Sequence, residues 1–209
     1  AKLTARPFVD CAEIIRFNDS GKPDYEFSRY LIREKYRELG GFVTGGFYGC
    51  DPRGKIRLFP RGGGDITGSL LALGVSADEY LNFTDVDGVL SFSPSFAARF
   101  AEKTSVAEPA PAVVPRPLKE ISFGRMERLC DFSVNVFHPE ALNALKGSGI
   151  LVRVKNTFNK YADGTAITEK SETRDEFFFA SDKFGAIKSV LASKKNDVSL
   201  YAKFLLQAG

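Results

Sequence analysis

The chain has no tryptophan, a single histidine (His138) and a single methionine among 209 residues. One imidazole excludes any site built on two, which removes HExxH-type zinc chemistry and histidine-rich metal clusters. Cysteine is scarce as well. Cys11, Cys50 and Cys130 are odd in number and widely spaced, so they make neither a disulfide framework nor a CxxC redox or zinc motif. Three such thiols fit a reducing intracellular compartment. No apolar run approaches the ~20 residues that span a bilayer, and Ala1 to Pro7 lack the apolar core of a signal peptide. A strong charge bias is missing too. Twenty-nine Lys and Arg against 26 Asp and Glu leave +3, too little for a dedicated nucleic-acid binder. Neither nucleic acid nor membrane insertion is therefore expected.

Apolar surface is sufficient for folding: 44% of residues are hydrophobic, with 19 Phe and 7 Tyr supplying the aromatic bulk. The expected fold class is α+β, in two parts. Residues 8–16 read as a short amphipathic segment, and residues 24–39 carry helical spacing that Gly40-Gly41 stops. Residues 41–64 are Gly-rich and irregular apart from β-like runs at 42–44 and 56–59. They hold too few apolar anchors to order without a ligand or partner. Residues 70–81 read as a helix interrupted at Gly74, and residues 92–103 as another. Glu108 to Pro117 holds four prolines and reads as an extended linker. Beyond it, residues 129–137 alternate like a strand and Pro139 opens a helix to Leu145. Residues 150–154 and 176–180 read as strands, with a turn at 161–165, and residues 183–206 as one or two helices. The expected organisation is a Gly-rich, partner-dependent segment over 1–107, a Pro-rich linker over 108–117 and a small α+β domain over 118–209.

Several motifs come close to chemistry. Gly49 to Lys55 fits the GxxxxGK phosphate loop, but Ile56 stands where the magnesium-binding hydroxyl belongs. Pro60 and Gly62-Gly63-Gly64 argue against a long helix after it, so the stretch reads as a Gly-rich turn. Arg61-Gly62-Gly63 is a lone RGG and carries no RNA signal by itself. His138, between a strand-like run and Pro139, reads as a cap or core residue. Phe83-Thr84-Asp85-Val86-Asp87-Gly88 resembles the first motif of haloacid-dehalogenase-like phosphatases. That resemblance implies Asp85 as nucleophile and Asp87 as general acid/base at the end of a buried strand. Ser76 to Asn82, which precedes it, is too polar for a central parallel strand.

Each cysteine adjoins an aspartate: Asp10-Cys11, Cys50-Asp51 and Cys130-Asp131. A neighbouring carboxylate raises a thiol's pKa and disfavours a reactive thiolate. The pairs suit anchorage of a linear tetrapyrrole (bilin), which takes a thioether, a carboxylate for its pyrrole N–H groups and a cation for its propionates. Cys50 with Asp51 and Arg53 is the first choice, Cys130 with Asp131 and Arg128 the second, and Cys11 with Asp10 the third. The alternative is three thiols with surface aspartates beside them. Ser76-Ala77-Asp78-Glu79-Tyr80-Leu81 followed by Val89 resembles a stretch near the end of phycobilisome linker domains. This resemblance implies a non-enzymatic assembly subunit for light harvesting, a rod linker of the phycoerythrin γ type. It also implies phycobiliprotein rings as partners and a place in the plastid stroma or at the cyanobacterial thylakoid surface. A phosphatase using Asp85 and Asp87, or a virion or other assembly protein, is the alternative expectation.

Overall fold

The computed structural model describes residues 4–90, 117–131, 136–170, 178–179 and 189–190. It divides into two compact units, residues 1–82 with 137–153 and residues 83–136 with 154–209. The helices expected at 92–103 and 183–206 and the Pro-rich stretch through residue 116 lie outside the described residues.

The first unit opens with the short helix α1 (Cys11–Ile14). Asp10 accepts from the Ala12 N–H at 2.8 Å, and Glu13 accepts from the Asp10 N–H at 3.3 Å, a reciprocal cap. The chain then runs beside strand β1 (Tyr48–Cys50), with Cys50 donating to the Ile15 carbonyl and Phe17 donating to the Cys50 carbonyl. A Cβ on Gly49 would lie 2.6 Å from the Ile15 carbonyl oxygen, so only glycine allows this approach. β1 pairs antiparallel with β2 (Ile56–Leu58).

Helix α2 (Tyr25–Leu39) forms as its spacing predicts, between an Asp24 cap that accepts from the Phe27 N–H and left-handed Gly40. It packs on α3 (Gly63–Val75), where buried Ile32 lies against Gly74. Ile66, Leu70 and Leu73 form the buried stripe of α3. Each fully buried side chain of this kind stabilises the fold by about 1.5–3 kcal/mol relative to exposure. α3 also packs on the short helix that Pro139 opens, here called α5 (Pro139–Leu145).

Two expectations fail in this stretch. A 13-residue helix starts at Gly63, where the glycines and Pro60 argued against one. Packing of the Ile66–Leu70–Leu73 stripe outweighs the roughly 1 kcal/mol cost of each early glycine. The helix expected over 70–81 instead ends at Val75, and β3 (Glu79–Thr84) follows. Ser76 takes a left-handed conformation and breaks the run. Burial alternates along β3, and it stands at the end of its sheet, which suits the polarity that argued against a central strand.

In the second unit the ends of β3 and β5 (Leu151–Asn156) join β6 (Thr165–Thr168) and β4 (Glu120–Ser122) in the order β3-β5-β6-β4. β4 and β6 are parallel, with Ile121 beside Ile167. Helix α4 (Phe123–Asp131) packs on both. Here a strand was expected from 129, but Phe123, Met126 and Leu129 recur every third residue and are all buried. The two-residue strands β7 (Phe178–Phe179) and β8 (Ser189–Val190) pair antiparallel. The architecture is thus mixed α and β, as expected. Among the described residues no helix is long and apolar enough to cross a membrane.

Candidate functional site

The three cysteines are free; Cys11 and Cys50 belong to the first unit, Cys130 to the second. Cys11 is fully buried and Cys50 is 8% exposed. Burial pushes the Cys11 thiol up. Cys130 is partly exposed on α4, with exposed Arg128 in the last turn of that helix; the Asp131 side chain lies outside the described residues.

The aspartates beside the first two cysteines have jobs of their own. Asp10 caps α1 and accepts from the Tyr48 hydroxyl at 3.0 Å. Asp51, only 6% exposed, closes the β1–β2 turn. Its carboxylate accepts from the N–H groups of Arg53 (3.0 Å) and Lys55 (2.9 Å) and from Arg57 Nε (3.0 Å). These bonds, the Lys55 N–H first, hold its carboxyl below the usual range against the effect of burial. The GxxxxGK look-alike is this self-satisfied turn, and Arg53 stands exposed on it.

A different Gly-rich stretch is open. Arg61-Gly62-Gly63-Gly64-Asp65 leads into α3, and Gly62 caps that helix at φ 89° with no side-chain cap. The N–H groups of Gly63 and Asp65 find the carbonyls of Pro60 and Gly62. The Gly64 N–H donates to nothing among the described residues, and a Cβ on Gly64 would meet open space. A helix start with a free N–H and its dipole favours a carboxylate or phosphate, and exposed Arg61 lies three residues before that N–H in the chain.

Asp65 sits in the first turn of α3 with its carboxylate turned inward. Oδ1 accepts from Asn82 Nδ2 at 3.2 Å and Oδ2 from the His138 N–H at 2.9 Å. Burial still pushes its carboxyl up, beyond what these donors and His138 offset. Nearby Tyr80, edge-on to Phe137 at 6.0 Å, has its hydroxyl pushed up by burial and then by the Asp65 charge. His138 caps α5 through Nδ1, as expected of it, and its ring also covers Gly62. None of Arg61, Asp65 or Asn82 stood among the residues the sequence suggested. The usable signal was Asp65-Ile66 followed by Leu70 and Leu73, helical spacing opening on three glycines.

In the second unit the Asp85–Gly88 turn follows β3. Asp85 is exposed and accepts from the Thr84 hydroxyl at 3.1 Å. Asp87 Oδ1 accepts from the amides of Asn156 (2.7 Å) and Asn159 (3.0 Å). Phe158 and Tyr161, on the loop with Asn159, are 86% and 84% exposed. A two-aspartate phosphatase needs both carboxylates aimed at one phosphate from a buried central strand. Here β3 ends its sheet and Asp87 is held by two amides, so that arrangement is not formed.

Comparison with known proteins agrees with this correction. Residues 10–156 match the amino acid kinase family. The chain is similar to Aspartokinase 3 of Bacillus subtilis (strain 168), 37% identical over 156 residues that cover 74% of this chain and 31% of that protein. Among solved structures it resembles Clostridium acetobutylicum aspartate kinase, with TM-score 0.62 and 34% identity over 80% of this chain and 34% of that one. It also resembles E. coli aspartokinase III in complex with aspartate and ADP, with TM-score 0.66 and 25% identity over 79% of this chain and 35% of that one. The chain thus spans about a third of the length of these relatives. These matches overturn the phycobilisome-linker resemblance and what it implied: a non-enzymatic light-harvesting subunit, a bilin cofactor and phycobiliprotein partners. They equally displace the phosphatase and the virion protein. With residues 10–156 matched, the chain belongs to the amino acid kinase family.

Proposed function

We propose that this chain is the part of an aspartokinase-like enzyme that helps to move a phosphoryl group from ATP to a carboxylate of aspartate. The similarity to aspartokinases supports the substrates, and one structural observation supports the place: the uncapped, Gly-lined start of α3 with Arg61 before it. In such a reaction a carboxylate oxygen attacks the γ-phosphorus, the bond to the β-phosphate oxygen breaks, and an acyl phosphate and ADP result. A side-chain carboxylate with a pKa of about 3.9 is already ionised at neutral pH, so no general base is needed. What the reaction needs is alignment and compensation of negative charge. The Gly64 N–H, the α3 dipole and Arg61 supply positive potential; half-buried Asp65 belongs to the frame of that cradle.

Magnesium carried on nucleotide phosphates keeps most of its own waters and needs only one or two protein carboxylates. Among the described residues no three His, Cys, Asp or Glu gather into a cage. The ion would supply charge neutralisation on the phosphates. The three free thiols favour a reducing compartment.

Calorimetric titration of the chain with magnesium-ADP and with L-aspartate tests this reading. Saturable binding of both is expected, with Arg61→Ala weakening the binding of at least one about tenfold, the scale of a lost charge-assisted contact. Absence of binding by the folded chain, or an unchanged affinity in Arg61→Ala, would count against it.

A further inference from the structure

We infer that Asn82 and His138 are positioning residues whose joint grip on the Asp65 carboxylate fixes the geometry and charge of the α3 start. The inference rests on the reading of that helix start as substrate-facing, and it adds residues that this reading does not use.

The two donors come from separate elements. Asn82 lies on β3 and reaches Oδ1 through its amide; His138 lies at the start of α5 and reaches Oδ2 through its backbone N–H. Each oxygen of Asp65 therefore has its own donor, and the carboxylate is held at both ends. His138 makes two further contacts from the same position. Its Nδ1 accepts from the Glu140 N–H at 3.3 Å, which fixes the ring as the cap of α5. That ring then lies over Gly62, where a Cβ would come within 2.3 Å of Cδ2. One residue thus ties the cap of α5, the glycine before α3 and the acid in the first turn of α3 into one unit.

The charge of Asp65 depends on this grip. The polar and charged groups around it are Asn82 and Tyr80 from β3 and His138 from the α5 start. Burial favours the protonated acid, and Tyr80 offers no cation. The two hydrogen bonds favour the carboxylate. Removing one donor must move the balance toward the acid. A carboxylate held by Asn82 and His138 also leaves the exposed Gly64 N–H without a competing anion from Asp65.

The test is a carboxyl-carbon NMR titration of Asp65 in the whole chain. Asn82→Leu keeps the branched outline and deletes the donor; the Asp65 midpoint should rise by about one pH unit, as expected for a lost hydrogen bond to a charged group. Asn82→Asp, which adds a like charge, should raise it further. His138→Pro deletes the N–H at a residue whose φ of −72° and ψ of 132° suit proline, and should also raise the midpoint. His138→Asn keeps the N–H and a good capping side chain, and should leave the midpoint near its wild-type value. An unchanged midpoint in folded Asn82→Leu would overturn the inference. Titration of the same variants with magnesium-ADP and L-aspartate separates it from the kinase reading. If the midpoint moves and both affinities stay at wild-type values, the positioning role stands and α3 is not the substrate-facing element.

Discussion

Two Gly-rich turns in the first unit each carry an aspartate, and they differ in where their hydrogen bonds go. Around Cys50–Lys55 the turn closes on itself. Asp51 accepts three bonds from residues two, four and six positions ahead, and its carboxyl is held low. Around Arg61–Asp65 the turn opens. The helix start has no side-chain cap, the Gly64 N–H has no partner among the described residues, and the aspartate bonds to distant elements while burial holds its carboxyl high. Glycine and aspartate are common to both. A candidate site is marked by backbone donors left over after local bonding is complete, and only the second turn has them.

The largest expected contrast is steric. Gly62→Ala forces a side chain into a left-handed conformation and against the His138 ring. It should cost about 3 kcal/mol of stability, the sum of backbone strain and overpacking. Gly54→Ala meets no atom within 4 Å and carries only the left-handed penalty at φ 76°, so its cost should be about 1 kcal/mol. Urea unfolding of the two variants measures the difference. Equal losses would mean that the His138 contact with Gly62 is not formed.

Much of this architecture was legible in the sequence and some of it was not. The α2 helix announces itself by apolar spacing and a Gly40 stop, and the structure adds an Asp24 cap, all acting within one segment. His138 before Pro139 likewise reads as a cap because capping is local. The α3 start was misread because glycine propensity is local whereas its compensation, the Ile66–Leu70–Leu73 stripe against α2 and α5, is tertiary. The Cys–Asp pairs misled for the opposite reason. Adjacent residues in a turn or strand point different ways, so Asp10 and Asp51 serve a cap and a turn while their cysteines are buried. Asn82 meets Asp65 across 17 positions and His138 meets it across 73, distances over which single-sequence patterns carry no signal.

A smaller effect sharpens the contrast through pH. Asp51 has a lowered carboxyl, so the folded state holds fewer protons there than the unfolded chain. The stability it lends is present above the ordinary carboxylate value of about 4 and is lost as pH falls through its lowered value. Asp65 has a raised carboxyl, and the sign reverses: the folded state holds more protons, so stability falls as pH rises from about 4 through the raised value. Unfolding free energies measured across pH 2 to 8 should lose the first slope in Asp51→Asn and the second in Asp65→Asn. Slopes of the same sign would break the comparison.

Amide chemical-shift mapping tests the central claim most directly. On addition of L-aspartate with magnesium-ADP, the amides of Gly63, Gly64 and Asp65 should move in a saturable way, while those of Arg53 and Lys55, already bonded to Asp51, stay in place. Movement confined to the Arg53–Lys55 turn, or none at Gly64 at saturating ligand, would contradict the assignment of the α3 start as the anion cradle of this kinase-family chain.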